Sequence, residues 1–177
     1  MATHDNPAMP MANLLDHALR RLNSLPDQEA RMELLTCCGS RRWAARVSAG
    51  RPYADNEALL AAADMAWDVM TPADVREAFA AHPRIGEPSR GGAQERGEQS
   101  ASADADEATR DALAEGNLAY EERFGHIYLV CASGRSAGEL LEDLRSRLGN
   151  DPATEFRIAA EEQRAITRLR LRKLLAP

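Results

Sequence analysis

Apolar residues recur along most of this chain at intervals of three and four, the spacing that lines one face of a helix. Leu14, Leu15, Ala18, Leu19 and Leu22 predict a first helix over Met11 to Leu22, which Ser24 and Pro26 punctuate. Pro26 suits a helix's first turn, where a missing N–H costs nothing. With Asp27 and Glu29 at the positive end, a second helix should run to about Cys37 and stop at Gly39. Ser40 can cap a short helix carrying Trp43, Ala44 and Val47 that ends at Gly50, ahead of an Arg51-Pro52 turn. Asp55 caps a longer one with the stripe Leu59, Leu60, Ala63, Trp67 and Met70. Thr71-Pro72-Ala73-Asp74 then opens another with a cap, an early proline and an acid placed to bond back to the cap. Pro83 disfavours helical geometry in its predecessor, so His82 should stand at that helix's C-terminus.

The pattern fails in three places. Residues 1–10 carry no periodicity and are expected to be a flexible tail, leaving 11–177 as one domain. From Pro83 to about Ser100 the chain holds Gly86, Pro88, Gly91, Gly92 and Gly97, a polar loop longer than the usual connection of roughly 4–6 residues and so a candidate functional segment. A helix from about Asp104 to Arg123 follows. The run Ile127 to Ala132 is then too short and too uniformly apolar for periodicity to assign, beyond predicting burial. Ser136 with Glu139 makes a capping box for a helix through Leu140, Leu141, Leu144 and Leu148, closed by Gly149, and Asp151-Pro152 starts the last one.

Composition sharpens this into an all-α class. Val and Ile are scarce, aromatics are 5%, and Ala and Leu dominate the 177 residues. A hydrophobic fraction of 44% supports one core in a single multi-helix bundle. The formal charge of −6 and the pI near 5.3 argue against nucleic acid and anionic membrane as partners. No run reaches the roughly 18–20 apolar residues of a membrane span. Three cysteines, two of them adjacent, do not make a disulfide framework, so a reducing, cytoplasmic setting is expected.

Helix arithmetic isolates one charge. Taking 100° per residue from Phe156, the stripe of the last helix collects Ala159, Ala160, Gln163, Ile166, Leu171 and Leu174 together with Arg170. A guanidinium on that face either pairs inside the core or reaches into a pocket to grip a carboxylate or urea-like oxygen. The other arginines of this helix, interleaved with Glu155, Glu161 and Glu162, read as a solvated, salt-bridged face. His82, at a negative helix end, is either a cap for the last carbonyls or an acid working near neutral pH. His126 reads as structural. Cys37 and Cys38 read as helix packing, and Cys131 as an inert thiol in apolar surroundings. No metal-ligand spacing or phosphate-binding glycine loop is present, so neither a metal site nor a phosphate cradle is expected.

The segment His82-Pro83-Arg84-Ile85-Gly86 resembles the His-Pro-Arg-(Ile/Leu)-Gly signature of the 2-oxo-4-hydroxy-4-carboxy-5-ureidoimidazoline (OHCU) decarboxylases of urate breakdown. Further blocks match in order: Leu22-Asn23, Ser40 to Trp43, Arg51-Pro52-Tyr53, Glu98-Gln99, Tyr120 to Ala132, Arg147 to Asn150 and Leu169-Arg170-Leu171. The resemblance implies an all-helical, cofactor-free enzyme that converts OHCU to (S)-allantoin, commonly as a homodimer. It implies His82 and Glu98 as the catalytic pair. It also implies Pro83, Gln99, Arg170 and the segment Tyr128, Leu129, Val130, Cys131 and Ala132 as substrate contacts, the segment largely through its backbone. The family often carries Trp-Ser before its Glu-Gln pair. Here Gln94 and Glu95 stand there, which puts Glu95 in the place of the serine contact. Two rival readings stay open: a non-catalytic helical module that binds a protein partner, and a hydrolase of a ureido or imidazoline ring.

Overall fold

The computed structural model describes residues 11–84 and 106–176, and every regular element among them is helical. The helices are α1 (Met11–Ser24), α2 (Asp27–Cys37), α3 (Arg41–Ala49), α4 (Asn56–Asp68), α5 (Pro72–Ala80), α6 (Glu107–Phe124), α7 (Ala137–Arg147) and α8 (Pro152–Leu174). The predicted tail at 1–10 and most of the predicted loop after Pro83 lie outside the described residues.

Helix starts fall where the capping residues predict them. The side chains of Ser40, Asp55 and Asp151 accept backbone N–H groups from the first turns of α3, α4 and α8. Thr71 with Asp74, and Ser136 with Glu139, close reciprocal capping boxes on α5 and α7. The predicted start of α6 near Asp104 moves to Glu107, because Asp106 supplies the cap by accepting the Thr109 N–H at 2.7 Å. At its other end Gly125 takes φ 71°, a left-handed conformation that favours glycine, and its N–H bonds the Glu121 carbonyl at 2.8 Å.

Two apolar clusters form the interior. The larger gathers α1 to α5 and one face of α8 around Trp43, which is fully buried and donates its indole N–H to the Ala63 carbonyl at 3.0 Å. The smaller joins α6 to α7 through Leu113, Tyr120, Leu140 and Leu144. Between them runs the stretch His126 to Ala132, which is neither helix nor strand. Its odd residues, Ile127, Leu129 and Cys131, pack on the larger cluster. Its even residues, Tyr128, Val130 and Ala132, enter the smaller one. That alternation is the period of an extended chain, and burial on both sides explains why the sequence shows an unbroken apolar run.

The solvated reading of α8 requires correction at its start. Glu155 is fully buried, as is its partner Arg147 at 5% exposure. The buried face of α8 is Glu155, Ala159, Gln163, Ile166, Thr167, Arg170 and Leu171, which leaves the predicted Phe156, Ala160 and Leu174 half-buried at its margin. Toward the margin, Arg164 and Arg168 do pair with acids, reaching Asp64 and Asp68 on α4.

Candidate functional site

His82 lies just past the last turn of α5, where its N–H bonds the Phe79 carbonyl at 3.1 Å. Gly39 packs against the same helix end. A Cβ on Gly39 would stand 2.2 Å from the Cβ of Ala81, so the α2–α3 link approaches α5 as closely as it does only because residue 39 has no side chain. Pro83 and Arg84 follow, half-buried, and Arg84 forms a forked ion pair with Glu121 on α6, one arm at 2.9 Å. The chain leaving His82 is thereby tied to α6.

Arg170 arrives at this point from α8. It is 4% exposed, and its guanidinium bonds the Thr36 carbonyl at 3.4 Å and contacts His82 Nδ1 at 3.5 Å. Thr36 lies in the last turn of α2 and His82 follows α5, so the cation sits at the C-terminal ends of two helices, where carbonyl dipoles favour positive charge. A guanidinium only donates. A hydrogen bond at Nδ1 would require that nitrogen to accept, which would place a ring proton on the buried Nε2. The thiols of Cys37 and Cys38 flank the same helix end, and burial pushes each up to about 11, so they stay protonated near neutral pH.

The segment Tyr128 to Ala132 is held from below. Arg147 donates to the Leu129 carbonyl at 2.7 Å and is itself gripped by Glu155 at 2.6 and 2.8 Å. Tyr120 donates its hydroxyl to the same carboxylate, and Asn150 bonds the other oxygen at 2.8 Å. Burial is the largest single influence on Arg147 and lowers its pKa, but the Glu155 hydrogen bond and the electrostatics of Tyr120, Glu155 and Tyr128 together outweigh it and hold the guanidinium above its ordinary value. The Tyr128 hydroxyl donates to Asp143 at 2.6 Å, and Arg147 lies 4.9 Å from the Tyr128 ring centre. Glu162 on α8 accepts the Cys131 N–H at 2.7 Å. Val130 is 5% exposed, yet among the described residues no hydrogen bond reaches its N–H or C=O. Buried backbone groups in that condition are rare and mark an edge suited to a polar ligand.

His126 begins the segment inside an aromatic cage of Phe79, Tyr120, Phe124 and Phe156, in keeping with a structural role. A cleft of about 350 Å³ opens beside it between Arg76, Phe79 and Glu121, and among the described residues its lining includes neither His82 nor Arg170. Glu95, Glu98 and Gln99 lie outside the described residues. Among the described residues no group of three or more His, Cys, Asp or Glu side chains is placed to hold a metal. The structure thus brings His82 and Arg170 together and orders the 128–132 edge. Sequence reasoning missed the supporting pair Arg147–Glu155 and the Glu162 contact.

Over residues 23–172 the chain matches the family model described as OHCU decarboxylase. It is 40% identical over 151 residues to the uric acid degradation bifunctional protein TTL of Arabidopsis thaliana, covering 81% of this chain and 47% of that protein. The chain therefore spans about half the length of that relative. It is 35% identical over 140 residues to the 2-oxo-4-hydroxy-4-carboxy-5-ureidoimidazoline decarboxylase of Amia calva, covering 75% and 79% of the two chains. A crystal structure of OHCU decarboxylase in the presence of (S)-allantoin superposes with a TM-score of 0.75 at 35% identity, covering 86% of this chain and all of that one. An (S)-allantoin synthase structure, 20% identical with a TM-score of 0.66 over 88% of this chain and 53% of that one, shares the fold. On a family match that takes in nearly all of the helical domain, the chain belongs to the OHCU decarboxylases, carboxy-lyases of urate degradation.

Proposed function

We propose that this chain decarboxylates OHCU to (S)-allantoin with His82 as the proton donor. The observation that carries the reading is the Arg170 guanidinium 3.5 Å from His82 Nδ1, a contact suited to a ring that carries its proton on Nε2. As the bond to the carboxylate breaks, carbon dioxide leaves and its bonding pair forms a double bond to the neighbouring ring carbon. The C=N pair of the imidazoline moves onto nitrogen, so the ring is its own electron sink. The resulting enol takes a proton on the ureido-bearing carbon, returns its hydroxyl proton to the imidazole to give the carbonyl of allantoin, and takes one proton from solvent on the ring nitrogen that received the C=N pair. His82 Nε2–H delivers the first of these protons to one face, which sets the configuration. Glu98, as implied by the family resemblance, orients the ureido group and tunes the imidazole.

Pro83, Glu95, Gln99 and the 128–132 edge complete the substrate contacts, with the Val130 N–H and C=O suited to the amide-like ring and ureido groups. Arg170 serves both the substrate oxygens and the histidine. A grip that tightened on the departing carboxylate would stabilise the ground state, so its value lies in orientation. The same reading carries a homodimer, which light scattering would read at twice the 19.4 kDa chain mass, and a cytoplasmic setting in keeping with three free thiols.

The test is the product balance. OHCU generated in situ should release one carbon dioxide per allantoin formed. Ring opening without carbon dioxide would establish a hydrolase instead, and no acceleration over the blank would return the partner-binding module. Arg170→Met should raise KM and lower kcat together, whereas an unchanged KM would confine Arg170 to the fold.

A further inference from the structure

α8 carries three polar anchors on or beside its buried face: Glu155, Glu162 and Arg170. The first acts through Arg147 on the Leu129 carbonyl, the second directly on the Cys131 N–H, and the third on His82. Successive anchors are separated by about two helical turns, on the order of 10–12 Å. One rigid helix therefore sets both the extended segment and the histidine, and Val130 lies between the two tethered residues.

We propose that Glu162 is a positioning residue, whose carboxylate fixes the 128–132 backbone in register with His82 so that substrate meets a preformed edge. The inference rests on the proposal that this edge faces substrate. Glu162 is half-buried, and among the described residues the Cys131 amide is its one hydrogen-bond partner and it forms no ion pair. A carboxylate partly withdrawn from water loses solvation, and a single charge-assisted bond to a backbone N–H restores part of it. Nothing in the helix itself needs that bond, since α8 is capped by Asp151 and packed through Ala159, Gln163 and Ile166. The segment does need it. It has no ladder of its own: Arg147 holds the Leu129 carbonyl, Asp143 the Tyr128 hydroxyl and the Arg135 N–H the Ala132 carbonyl, and none of these fixes the backbone between Leu129 and Ala132. Without Glu162 the Cys131 N–H loses its carboxylate acceptor, the peptide at Val130 is fixed less firmly, and each substrate must order it further on binding.

Two variants separate this role from general support of the fold. Glu162→Gln keeps an oxygen that accepts the Cys131 N–H; Glu162→Ala removes it. The structure predicts that Glu162→Ala raises KM for OHCU by about tenfold with a smaller change in kcat, the pattern of lost binding order. Amide exchange at Cys131 should quicken in that variant while the melting temperature stays within a few degrees. Glu162→Gln should restore KM to within about threefold of wild type. An unchanged KM in Glu162→Ala would overturn the proposal, as would a Glu162→Gln variant as impaired as the alanine. Residue-resolved amide shifts on adding (S)-allantoin to the wild-type protein test the underlying reading separately. Shifts at 128–132 support it, and their absence removes it and the Glu162 role together.

Discussion

At the scale of single residues the chain places its charges by partner rather than by hydropathy. Arg170 and Arg147 are both buried, yet the first answers to helix carbonyl ends and an imidazole, the second to a carboxylate. Arg170 was legible because it falls inside an apolar stripe. Glu155 and Glu162 were not. The buried face of α8 is centred about 30° from Phe156, which leaves both acids outside a stripe centred on that residue. No local signal distinguishes Glu155 from an ordinary acid in a first turn, since its burial depends on Arg147 and Tyr120 arriving from two other helices. The pair's energetics follow from that burial. Arg147→Met should cost about 3–5 kcal/mol in urea unfolding, because it strands the Glu155 carboxylate in the interior. Arg84→Ala, which breaks a more exposed ion pair, should cost no more than about 1 kcal/mol. Equal losses in the two variants would refute the distinction.

At the scale of elements the helix starts were readable from caps and early prolines, because those signals act within one turn. The stretch 126–132 was not, because its conformation is imposed by two clusters and by tethers to α7 and α8. Gly39 shows how one element's position constrains another. In Gly39→Val the new side chain meets Ala81, and the end of α5 must shift, taking His82 away from Arg170. This variant should lose most of its kcat while circular dichroism still reports a helical protein. Retained activity would mean that the α2–α3 link can retreat without disturbing the histidine.

For the molecule as a whole, stability should respond to acid in two stages. His126 is held below its ordinary value of 6.5, first by burial and further by the guanidiniums of Arg147 and Arg76. The unfolded chain therefore takes up that proton at higher pH than the folded one, so stability falls as the pH drops through about 6.5 toward the folded value. Asp74, Asp106, Glu139 and Asp151 are lowered by the N–H and O–H groups they cap. Their stabilisation is present above the unfolded values of 3.8 and 4.5 and is lost as the pH falls below them. Melting temperatures should decline between pH 7.5 and 5.5 in the wild-type protein and less so in His126→Gln; parallel curves would assign the decline elsewhere.

The whole-molecule claim is that this helical frame exists to deliver one proton from His82 to one face of a decarboxylated ring. Protonation in free solution has no preferred face and gives a racemate, so chirality reports the enzyme directly. The decisive measurement is circular dichroism of the product formed when OHCU, made in situ from urate, meets the wild-type protein and His82→Ala in parallel. The wild type should give a rapid, single-handed signal of (S)-allantoin, and His82→Ala should be slower by roughly 10²- to 10⁴-fold. A signal that grows at the blank rate and stays racemic with the wild type, or one undiminished in His82→Ala, would contradict the account.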